Sequence, residues 1–442
     1  MIALVLLGIL VFIVVATVRF KMHPVFSLTI SAIVAGLGLG LTPEIILKTM
    51  GEGLGKTLSG FALVIAFGSV IGIYLEKTGA TQVLAQKVLS GVGFRKSPLA
   101  LNLAGYLVSI PVFCDSGFII LSSLNKALSK RSGIPVMVFS IALATGLYAA
   151  HVFVPPTPGP LAAAAMLEAD LGMVILLGLA VSIPVSVMGY VWANWMGKRI
   201  EGTETELDTT EKENIVNDLP KIKPYQAFLP LFAPIVLIAL KSIASYPSYP
   251  FGEGLFFKAI DFIGNPVVAL LVGVVLAVVL ARNISTPNKS KWISEALGQA
   301  GSIVLITGAG GAFGAVLRTI DVGQWIGTNY ESGLAGLAIT FVIAALLKTA
   351  QGSSTVSIIT TSAIVAPLLG AFGLESALDK ALVVLSVGAG AMTVSHVNDS
   401  YFWVVSQFSG LTTKEGLQGL TLGTLLQGLT GFVLIMLLYL VL

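Results

Sequence analysis

The sequence predicts an all-α polytopic membrane protein with about ten transmembrane helices and two re-entrant hairpins. Hydrophobic residues make up 55% of the 442 residues and charged residues only 11%, whereas a soluble domain carries about 25% charged residues. Apolar runs of about 20 residues, the length that a helix needs to cross a bilayer, recur along the whole chain. Basic loops alternate with neutral or mixed-charge loops, as expected for a chain that crosses the membrane repeatedly.

Ten crossings are predicted from these apolar runs. The first run has no basic residue before it and no small-residue cleavage site after it, which predicts a retained span rather than a signal peptide. Basic loops are placed on the cytoplasmic side, and both chain termini then lie outside. The crossings lie near residues 2–18, 24–42, 58–75, 134–167, 172–196, 226–243, 264–282, 297–317, 381–410 and 415–442. The loops predicted to lie outside are 43–57, 318–331 and 370–380.

Two segments do not fit as crossings and are predicted to be re-entrant hairpins. Residues 97–125 lie between two basic loops, so both of their ends belong on the same side of the membrane. The arm 118–125, after the turn Pro111–Gly117, has eight residues, which are too few to cross. Residues 332–369 lie between two non-basic loops and are interrupted at Lys348–Thr355, which predicts a second hairpin entering from the opposite face.

An internal repeat relates the two halves of the chain. Leu63–Leu75 and Leu305–Leu317 share Leu, Gly, Gly and Leu in register, and each leads into a hairpin and then a broken helix. The matching loops are basic in one half and not in the other, which indicates inverted orientation. The predicted units are N-terminal helices 1–57, repeat 1 at 58–196 with hairpin 97–125 and broken helix 134–167, cytoplasmic linker 197–224, connecting helices 225–296, repeat 2 at 297–410 with hairpin 332–369 and broken helix 381–410, and C-terminal helix 411–442.

The stretch His151–Pro160, "HVFVPPTPGP", places four prolines beside one of the three histidines of the chain. Prolines end a helix because they lack an N–H and clash with the preceding turn, which frees backbone groups for a ligand. Inverted repeats with discontinuous helices are the architecture of secondary transporters, whose breaks meet near the midplane and form the substrate site. The alternative is a proline kink that only shapes helix packing.

Three motifs closely resemble the gluconate permease family of proton symporters: "HVFVPPTPGP", "KTAQGSSTVSIITTSAIVAPL" and "SHVNDSYFW". The resemblance runs through nearly the whole chain. It implies proton-coupled uptake of a small hydroxy-acid anion such as gluconate across the bacterial cytoplasmic membrane, and a relation to the wider ion transporter superfamily. Many relatives carry glutamate at Asp115, histidine at Thr157 and arginine at Lys348. These departures are consistent with another hydroxy acid, such as glycerate.

Substrate binding is predicted where the breaks concentrate hydroxyl, amide and charged groups. Ser353, Ser354 and Thr355 open a helix after a break, so hydroxyl and N–H groups converge at a positive helix end that suits a carboxylate. The alternative is small-residue packing, and Lys348 either neutralises the anion or extends to the nearer interface. The predicted substrate-binding residues are Ser116, Thr157, Lys348, Gln351, Gly352, Ser353, Ser354, Thr355, His396, Asn398 and Asp399.

Asn398 and Asp399 are suited to reading substrate hydroxyls, and helix capping is the alternative role for them. Asp115 is the leading candidate for the proton carrier, because a buried carboxyl group can load and release a proton near neutral pH. His151 is the second candidate, since histidine titrates near neutrality. A structural role for this histidine remains an alternative.

Other functions have weaker support in the sequence. "GEGLGKT" lacks the first glycine of a P-loop, and "GAGGAFG" (Gly308–Gly314) lies in a predicted span, where close helix packing explains it better than nucleotide binding. The sequence predicts no cofactor and no metal site, and a net charge of +3 does not indicate nucleic acid binding. The expected partners are the anion, protons and the lipid bilayer, and a homo-oligomer is left open. An ion antiporter and a membrane-embedded enzyme using both histidines and Asp399 remain alternatives.

Overall fold

The computed structural model describes most of the chain between its first span and its C-terminus. The described residues are 8–9, 11–13, 15–16, 19–20, 22–38, 40–92, 96–197, 199, 222–245, 254–283, 289–319 and 333–442. The first predicted crossing, the cytoplasmic linker 197–224 and the loop 318–331 lie mostly outside these residues.

All regular elements in the described part of the chain are helical, which confirms the predicted all-α class. The helices are α1 Pro24–Gly38, α2 Pro43–Lys77, α3 Ala80–Val92, α4 Ser97–Ser109, α5 Cys114–Ser132, α6 Val136–Phe153, α7 Pro158–Met166, α8 Leu171–Met196, α9 Pro224–Ala244, α10 Leu255–Ile263, α11 Pro266–Leu280, α12 Lys289–Arg318, α13 Gly333–Gln351, α14 Ser354–Val365, α15 Ala377–Met392, α16 Ser400–Ser409, α17 Thr413–Gly416 and α18 Leu422–Val441. A π-helical turn, Leu417–Thr421, joins α17 to α18.

Seven spans among the described residues are long and apolar enough to cross a membrane, or eight when the bent pair α10 and α11 is counted as one span. The chain is therefore a polytopic membrane protein. The expectation of about ten crossings also included residues 2–18, the 15-residue α1, and the broken pair α15 and α16. The membrane sidedness inferred from the loop charges stays a prediction.

Residues 43–57 are not the loop that was expected, because they form the first part of the 35-residue helix α2, and their place outside the membrane stays a prediction. The helix begins with strong local signals: the Thr42 side chain accepts a hydrogen bond from the backbone N–H of Ile45, Pro43 stands in the first turn, and Glu44 follows it. A proline at this position lacks an N–H that would have no helical partner in any case. The charge balance of residues 43–57, which suggested a loop, does not reflect these starting signals.

The arms of the two predicted hairpins are longer than expected. The arm after the first turn is the 19-residue helix α5, because the helix continues through the basic stretch that had been assigned to a loop. It ends at Gly133, whose φ of 70° is the left-handed conformation typical of a helix C-terminus. In the second hairpin, α13 has 19 residues and is by itself long enough to cross.

The long helices α2 and α12, which carry the two matching sequence segments, pack against each other. Glycines permit the close approach: a Cβ atom on Gly53 would lie 2.6 Å from the carbonyl oxygen of Gly311, and one on Gly311 would lie 2.1 Å from the Thr57 hydroxyl. Close packing thus explains the glycine-rich stretch of α12, as expected for small residues between membrane helices.

Helix α6 lies in the middle of the protein, and every residue from Met137 to Phe153 is buried. Interruptions in the helices surround it. They lie at residues 110–113, 154–157, 352–353 and 393–399. Prolines account for the first two, and Gly352 (φ 83°) and Val394 (φ 51°) take left-handed conformations in the other two. Most of this non-helical backbone is buried inside protein rather than against lipid, where its polar groups would lack partners, and residues 397 and 398 of the last interruption are exposed.

Candidate functional site

A buried ion pair joins the two interruptions of the second half. Lys348, near the end of α13, is 1% exposed, and its Nζ donates hydrogen bonds to the Asp399 carboxylate and to the carbonyl oxygen of Gly352. The same Asp399 oxygen, Oδ2, accepts a hydrogen bond from the Ser395 hydroxyl. Its other oxygen accepts from the backbone N–H of Tyr401 at 3.1 Å and caps α16. Every charged group of this pair therefore has a partner.

The ion pair argues against one of the two roles considered for Lys348, extension to the nearer interface. A charged side chain that leaves water loses several kcal/mol of hydration, so it is stable only when it is paired and hydrogen bonded. Lys348 turns inward to Asp399 and does not extend to an interface. The capping role considered for Asp399 is confirmed. A role of Lys348 or Asp399 in substrate binding remains a prediction. Because the two residues bind each other, a change in either one would also affect the other.

Aromatic rings form one wall beside this pair. The Lys348 Nζ lies 5.7 Å from the centroid of the Tyr148 ring. This ring stacks on Tyr401 with centroids 5.2 Å apart and lies 6.4 Å from the nearly parallel ring of His151. The hydroxyl of Tyr401 donates to the carbonyl oxygen of Ala144 on α6 at 2.8 Å. The wall fixes α6 against α16 and leaves a cation close to an aromatic face, which is a favourable arrangement.

The N-terminus of α14 faces the same region. The Ser353 side chain caps the helix by accepting from the backbone N–H of Val356 at 3.3 Å, and the Ser354 side chain interacts with the Tyr148 hydroxyl. Gly352 has a left-handed backbone, and a Cβ atom there would lie 2.1 Å from the carbonyl oxygen of Asn398. Only glycine fits at this contact. The helix end thus brings free N–H groups and hydroxyls to the buried pair.

His396 and Asn398 both bind the end of α13. The His396 Nε2 lies 2.8 Å, and the Asn398 amide nitrogen 2.7 Å, from the carbonyl oxygen of Thr349. Because a carbonyl oxygen only accepts, each nitrogen donates a hydrogen in this contact. Asn398 is exposed and His396 half-buried, so both stand at the rim of the buried pair rather than within it.

The interruptions of the first half carry polar atoms without partners. Within the described residues, the buried Oδ1 of Asp115 and Nδ1 of His151 have no hydrogen-bond partner. Asp115 stands in the first turn of α5, and the His151 ring lies 6.1 Å from the ring of Phe113. Thr157 is buried, and its hydroxyl donates to the carbonyl oxygen of Val154 at 2.7 Å. The unpartnered atoms are free to take a proton or a ligand.

The predicted residues form one site with two outliers. Asp115 and His151 both lie within electrostatic range of Lys348 and Asp399. Thr355 belongs to the same site, since its Cα is 3.8 Å from where a Cβ on Gly159, at the start of α7, would lie. The outliers are Ser116, whose side chain faces Glu76 on α2, and Gln351, which is half-buried at the end of α13.

Sequence reasoning missed Tyr148, Ser395 and Tyr401. Each has a signal in hindsight: Tyr148 stands three residues before His151, which places both on one face of a helix, and the other two residues lie within the motif "SHVNDSYFW". Ser395 is held in turn by the C-terminal helix, because its backbone N–H donates to the Thr424 hydroxyl at 3.0 Å and its carbonyl oxygen accepts from Thr421.

The chain is similar to known permeases over nearly its whole length. Residues 1–441 match the model of the GntP family permease. The chain is 33% identical to an inner membrane permease, YgbN, of Escherichia coli (strain K12), over 94% of each chain. It is 33% identical to a gluconate permease of Pseudomonas aeruginosa, over 96% of this chain and 94% of the relative. It is 30% identical to the Gnt-II system L-idonate transporter of Escherichia coli (strain K12), over 91% and 90% of the two chains.

A solved structure shares the fold. The YdaH transporter of Alcanivorax borkumensis, whose crystal structure shows an unusual topology, superposes with a TM-score of 0.61 over 89% of this chain and 88% of that one. The two sequences are 15% identical, so this similarity concerns the arrangement of helices alone.

Proposed function

Because the chain belongs to the GntP permease family, we propose that this transporter is a proton-coupled symporter that carries gluconate or a related small hydroxy-acid anion into the cell across the bacterial cytoplasmic membrane. Relatives are named as permeases or transporters, among them two for gluconate and one for L-idonate. Both compounds are sugar-acid anions with one carboxylate and several hydroxyls, so a site for this class must hold one negative charge and read hydroxyl groups.

The observation that carries the proposal is the buried Lys348–Asp399 pair beside the N-terminus of α14. The pair is neutral as a unit, and the helix end adds a partial positive charge. A carboxylate that enters here finds the Lys348 ammonium, the Ser353 and Ser354 hydroxyls and the first N–H groups of α14. These groups are all hydrogen-bond donors, which is the complement of a carboxylate.

Coupling to protons follows from the second carboxyl group in the site. A substrate carboxylate close to an ionised Asp115 is repelled, because like charges in a poorly solvated site disfavour each other. Protonation of Asp115 removes this repulsion, so binding of the anion and of a proton strengthen each other to the same degree. The unpartnered Oδ1 of Asp115 is available for this exchange.

Hydroxyl recognition is assigned to the rim of the site. The Asn398 amide and the His396 ring each have further hydrogen-bonding capacity beyond their contact with Thr349. An amide offers both donor and acceptor groups, which suits a hydroxyl that does both. The identity of the substrate within the hydroxy-acid class would then depend on the spacing between this rim and the Lys348 ammonium.

The test is uptake by proteoliposomes containing the purified protein, across a panel of labelled hydroxy acids that includes gluconate, L-idonate and glycerate. A pH gradient, acidic outside, is imposed and then collapsed with a protonophore as the control. Symport predicts accumulation of unaltered substrate only while the gradient is present. Movement of cations without any hydroxy acid would instead indicate an antiporter, and a chemically changed product would indicate an enzyme.

A further inference from the structure

A small cleft lies outside the candidate substrate site, between α2, α12 and the two interruptions of the first half. Its polar lining consists of Ser69 and Glu76 from α2 and Gln299 from α12, and its opposite wall includes Pro111, Phe113 and Pro156. Glycines let the interruptions approach α2: a Cβ atom on Gly72 would lie 2.3 Å from the carbonyl oxygen of Pro111.

The polar groups of this cleft lack protein partners. The Ser69 hydroxyl, on a residue that is 5% exposed, and the Oε1 of Gln299 are buried and have no hydrogen-bond partner among the described residues. Buried polar atoms are normally paired, and an unpaired one costs about 1–3 kcal/mol. With a carboxylate nearby, the cleft offers mainly acceptors and hydroxyls, a lining that water satisfies by donating hydrogens.

Contacts of the cleft lining lead towards the candidate proton carrier on one side and towards an exposed ion pair on the other. The Ser116 side chain, next to Asp115 in the chain, interacts with the Glu76 carboxylate. Phe113, in the cleft wall, contacts the His151 ring. At the other end, Lys77, the neighbour of Glu76 in the chain, forms an ion pair with Glu295 at 3.3 Å. Their side chains are 35% and 42% exposed. This end carries basic loops and is the predicted cytoplasmic face.

We propose that this cleft is a hydrated proton path and that Glu76 passes the coupling proton between Asp115 and the cytoplasmic solution. The proposal rests on the symport proposed above. The Asp115 carboxyl group releases its proton to water in the cleft, the Glu76 carboxylate accepts it, and Glu76 then releases it to the solution. Both carboxylates are restored, so no other reactant is needed. Lys77, Glu295 and the Ser116 hydroxyl are the groups that face Glu76.

The test uses the Glu76→Gln variant in proteoliposomes loaded with a pH-sensitive dye. Glutamine keeps the size of the side chain and cannot carry the proton. Proton movement driven by a substrate gradient is expected to fall by about tenfold or more, and uptake driven by a pH gradient is expected to fall with it. Exchange of labelled for unlabelled substrate at equal pH should remain, because the proton need not leave the protein during exchange.

The matched control is Glu52→Gln, which removes an exposed acid on the same helix, α2, that does not line the cleft. It should transport as the wild type does. Ser69→Ala removes the unpartnered hydroxyl without adding bulk and should slow proton movement without changing exchange. Glu76→Asp retains an acid and should transport at a rate between those of Glu76→Gln and the wild type. Glu76→Asp and Ser69→Ala decide the matter if Glu76→Gln does not fold.

The outcomes separate this proposal from the one on which it rests. Wild-type proton movement in Glu76→Gln, together with loss of it in Asp115→Asn, would overturn the path and leave the symport proposal intact. Retained pH-driven accumulation in Asp115→Asn would overturn the assigned carrier, whatever Glu76→Gln does. Equal loss of proton movement and exchange in Glu76→Gln, with Glu52→Gln normal, would also overturn the path, since it would show a general defect in transport.

Discussion

The interruptions of both halves contain titratable side chains, but the two halves differ in whether the polar atoms of these side chains have hydrogen-bond partners. In the second half, Lys348 and Asp399 bind each other, and their remaining hydrogen-bonding groups bind Gly352, Ser395 and the backbone of α16. In the first half, Asp115 and His151 each have a buried polar atom without a partner in the described structure. The charged groups at the interruptions of the second half are paired, and those of the first half have polar atoms that are available to a proton or a ligand.

The difference indicates a division of roles. A satisfied buried network holds a fixed geometry, because breaking any member leaves a costly unpaired group. An unsatisfied group costs about 1–3 kcal/mol in the folded protein and is tolerated where a ligand or a proton binds it. We therefore expect mutations in the second half to affect stability and substrate geometry first, and mutations in the first half to affect coupling first.

The largest expected effect follows from Lys348→Met, which leaves the Asp399 carboxylate buried without its cation. Removing one partner of a buried ion pair typically costs about 3–5 kcal/mol. We expect a lower thermal unfolding temperature in detergent and a poor yield of folded protein. The double variant Lys348→Met/Asp399→Asn should recover most of this stability, because asparagine is neutral and still accepts from the backbone of Tyr401, but it should not bind substrate.

Two results would break the proposed division at this pair. A stable Lys348→Met protein would show that the pair contributes nothing to the fold. A double variant as unstable as the single one would show that the loss comes from packing of the lysine chain rather than from the unpaired carboxylate.

The next effect concerns coupling and tests the first half. Asp115→Asn keeps the shape of the side chain but cannot titrate. We expect loss of pH-driven accumulation with retained exchange between equally loaded compartments, and a stability close to that of the wild type. One proton with one monovalent anion carries no net charge, whereas a second proton would add a driving force of about 2.3 kcal/mol per 100 mV. Accumulation under an imposed voltage, measured in the wild type, therefore reports the stoichiometry.

Should Asp115→Asn still concentrate substrate when only a pH difference is imposed, Asp115 is not the carrier. His151→Gln in the same assay then tests the second candidate for the carrier, whose Nδ1 also has no partner among the described residues.

A smaller effect is expected from Ser354→Ala at the N-terminus of α14. Loss of a hydroxyl that binds the substrate carboxylate should weaken binding by about 1–3 kcal/mol, measured by titration calorimetry on the purified protein. The control is Ser357→Ala, one turn along the same helix, since its hydroxyl already donates to the carbonyl oxygen of Ala344 at 2.7 Å and should not affect affinity. Equal affinities in Ser354→Ala and the wild type would assign this serine to helix packing.

The positions of most helices could be predicted from the sequence, because length and apolarity determine a membrane helix almost by themselves. The span expected at 172–196 is α8, Leu171–Met196, and the one expected at 226–243 is α9, Pro224–Ala244. The interruptions at the prolines and at Gly352 were also apparent, because these residues restrict or permit particular backbone conformations. The helical start at Pro43 was missed, since the balanced charges of residues 43–57 suggested a loop.

The partners within the site could not be predicted in the same way. A buried lysine requires an anion, but the sequence does not say which acid lies beside it, and Asp399 is 51 positions away. The aromatic wall of Tyr148 and Tyr401 depends on the packing of α6 against α16, which no local pattern encodes. Motifs identified the segments that meet, and only the fold shows which atoms are paired and which are left without partners.

The smallest expected effect lies in a surface cluster that joins both halves away from the breaks. Glu168, in the turn between α7 and α8, accepts from Lys56 of α2 at 2.7 Å and lies 3.4 Å from Arg318 of α12. The hydrogen bond from Lys56, with the charges of Lys56 and Arg318, lowers the pKa of Glu168 below its usual value, although partial burial opposes this. Because these side chains are 41–72% exposed, solvent screening limits each pair to about 1 kcal/mol or less.

The pH dependence of this cluster follows from the lowered pKa. A carboxyl group whose pKa is lower in the folded than in the unfolded state contributes stability fully above its unfolded pKa, which is about 4.3 for glutamate. The contribution is lost as the pH falls through the folded value. Unfolding in detergent should therefore show a small difference between wild type and Glu168→Gln at pH 7 that disappears under strongly acidic conditions. A difference that persists in acid would mean that Glu168 acts through its left-handed backbone (φ 52°) or packing rather than its charge.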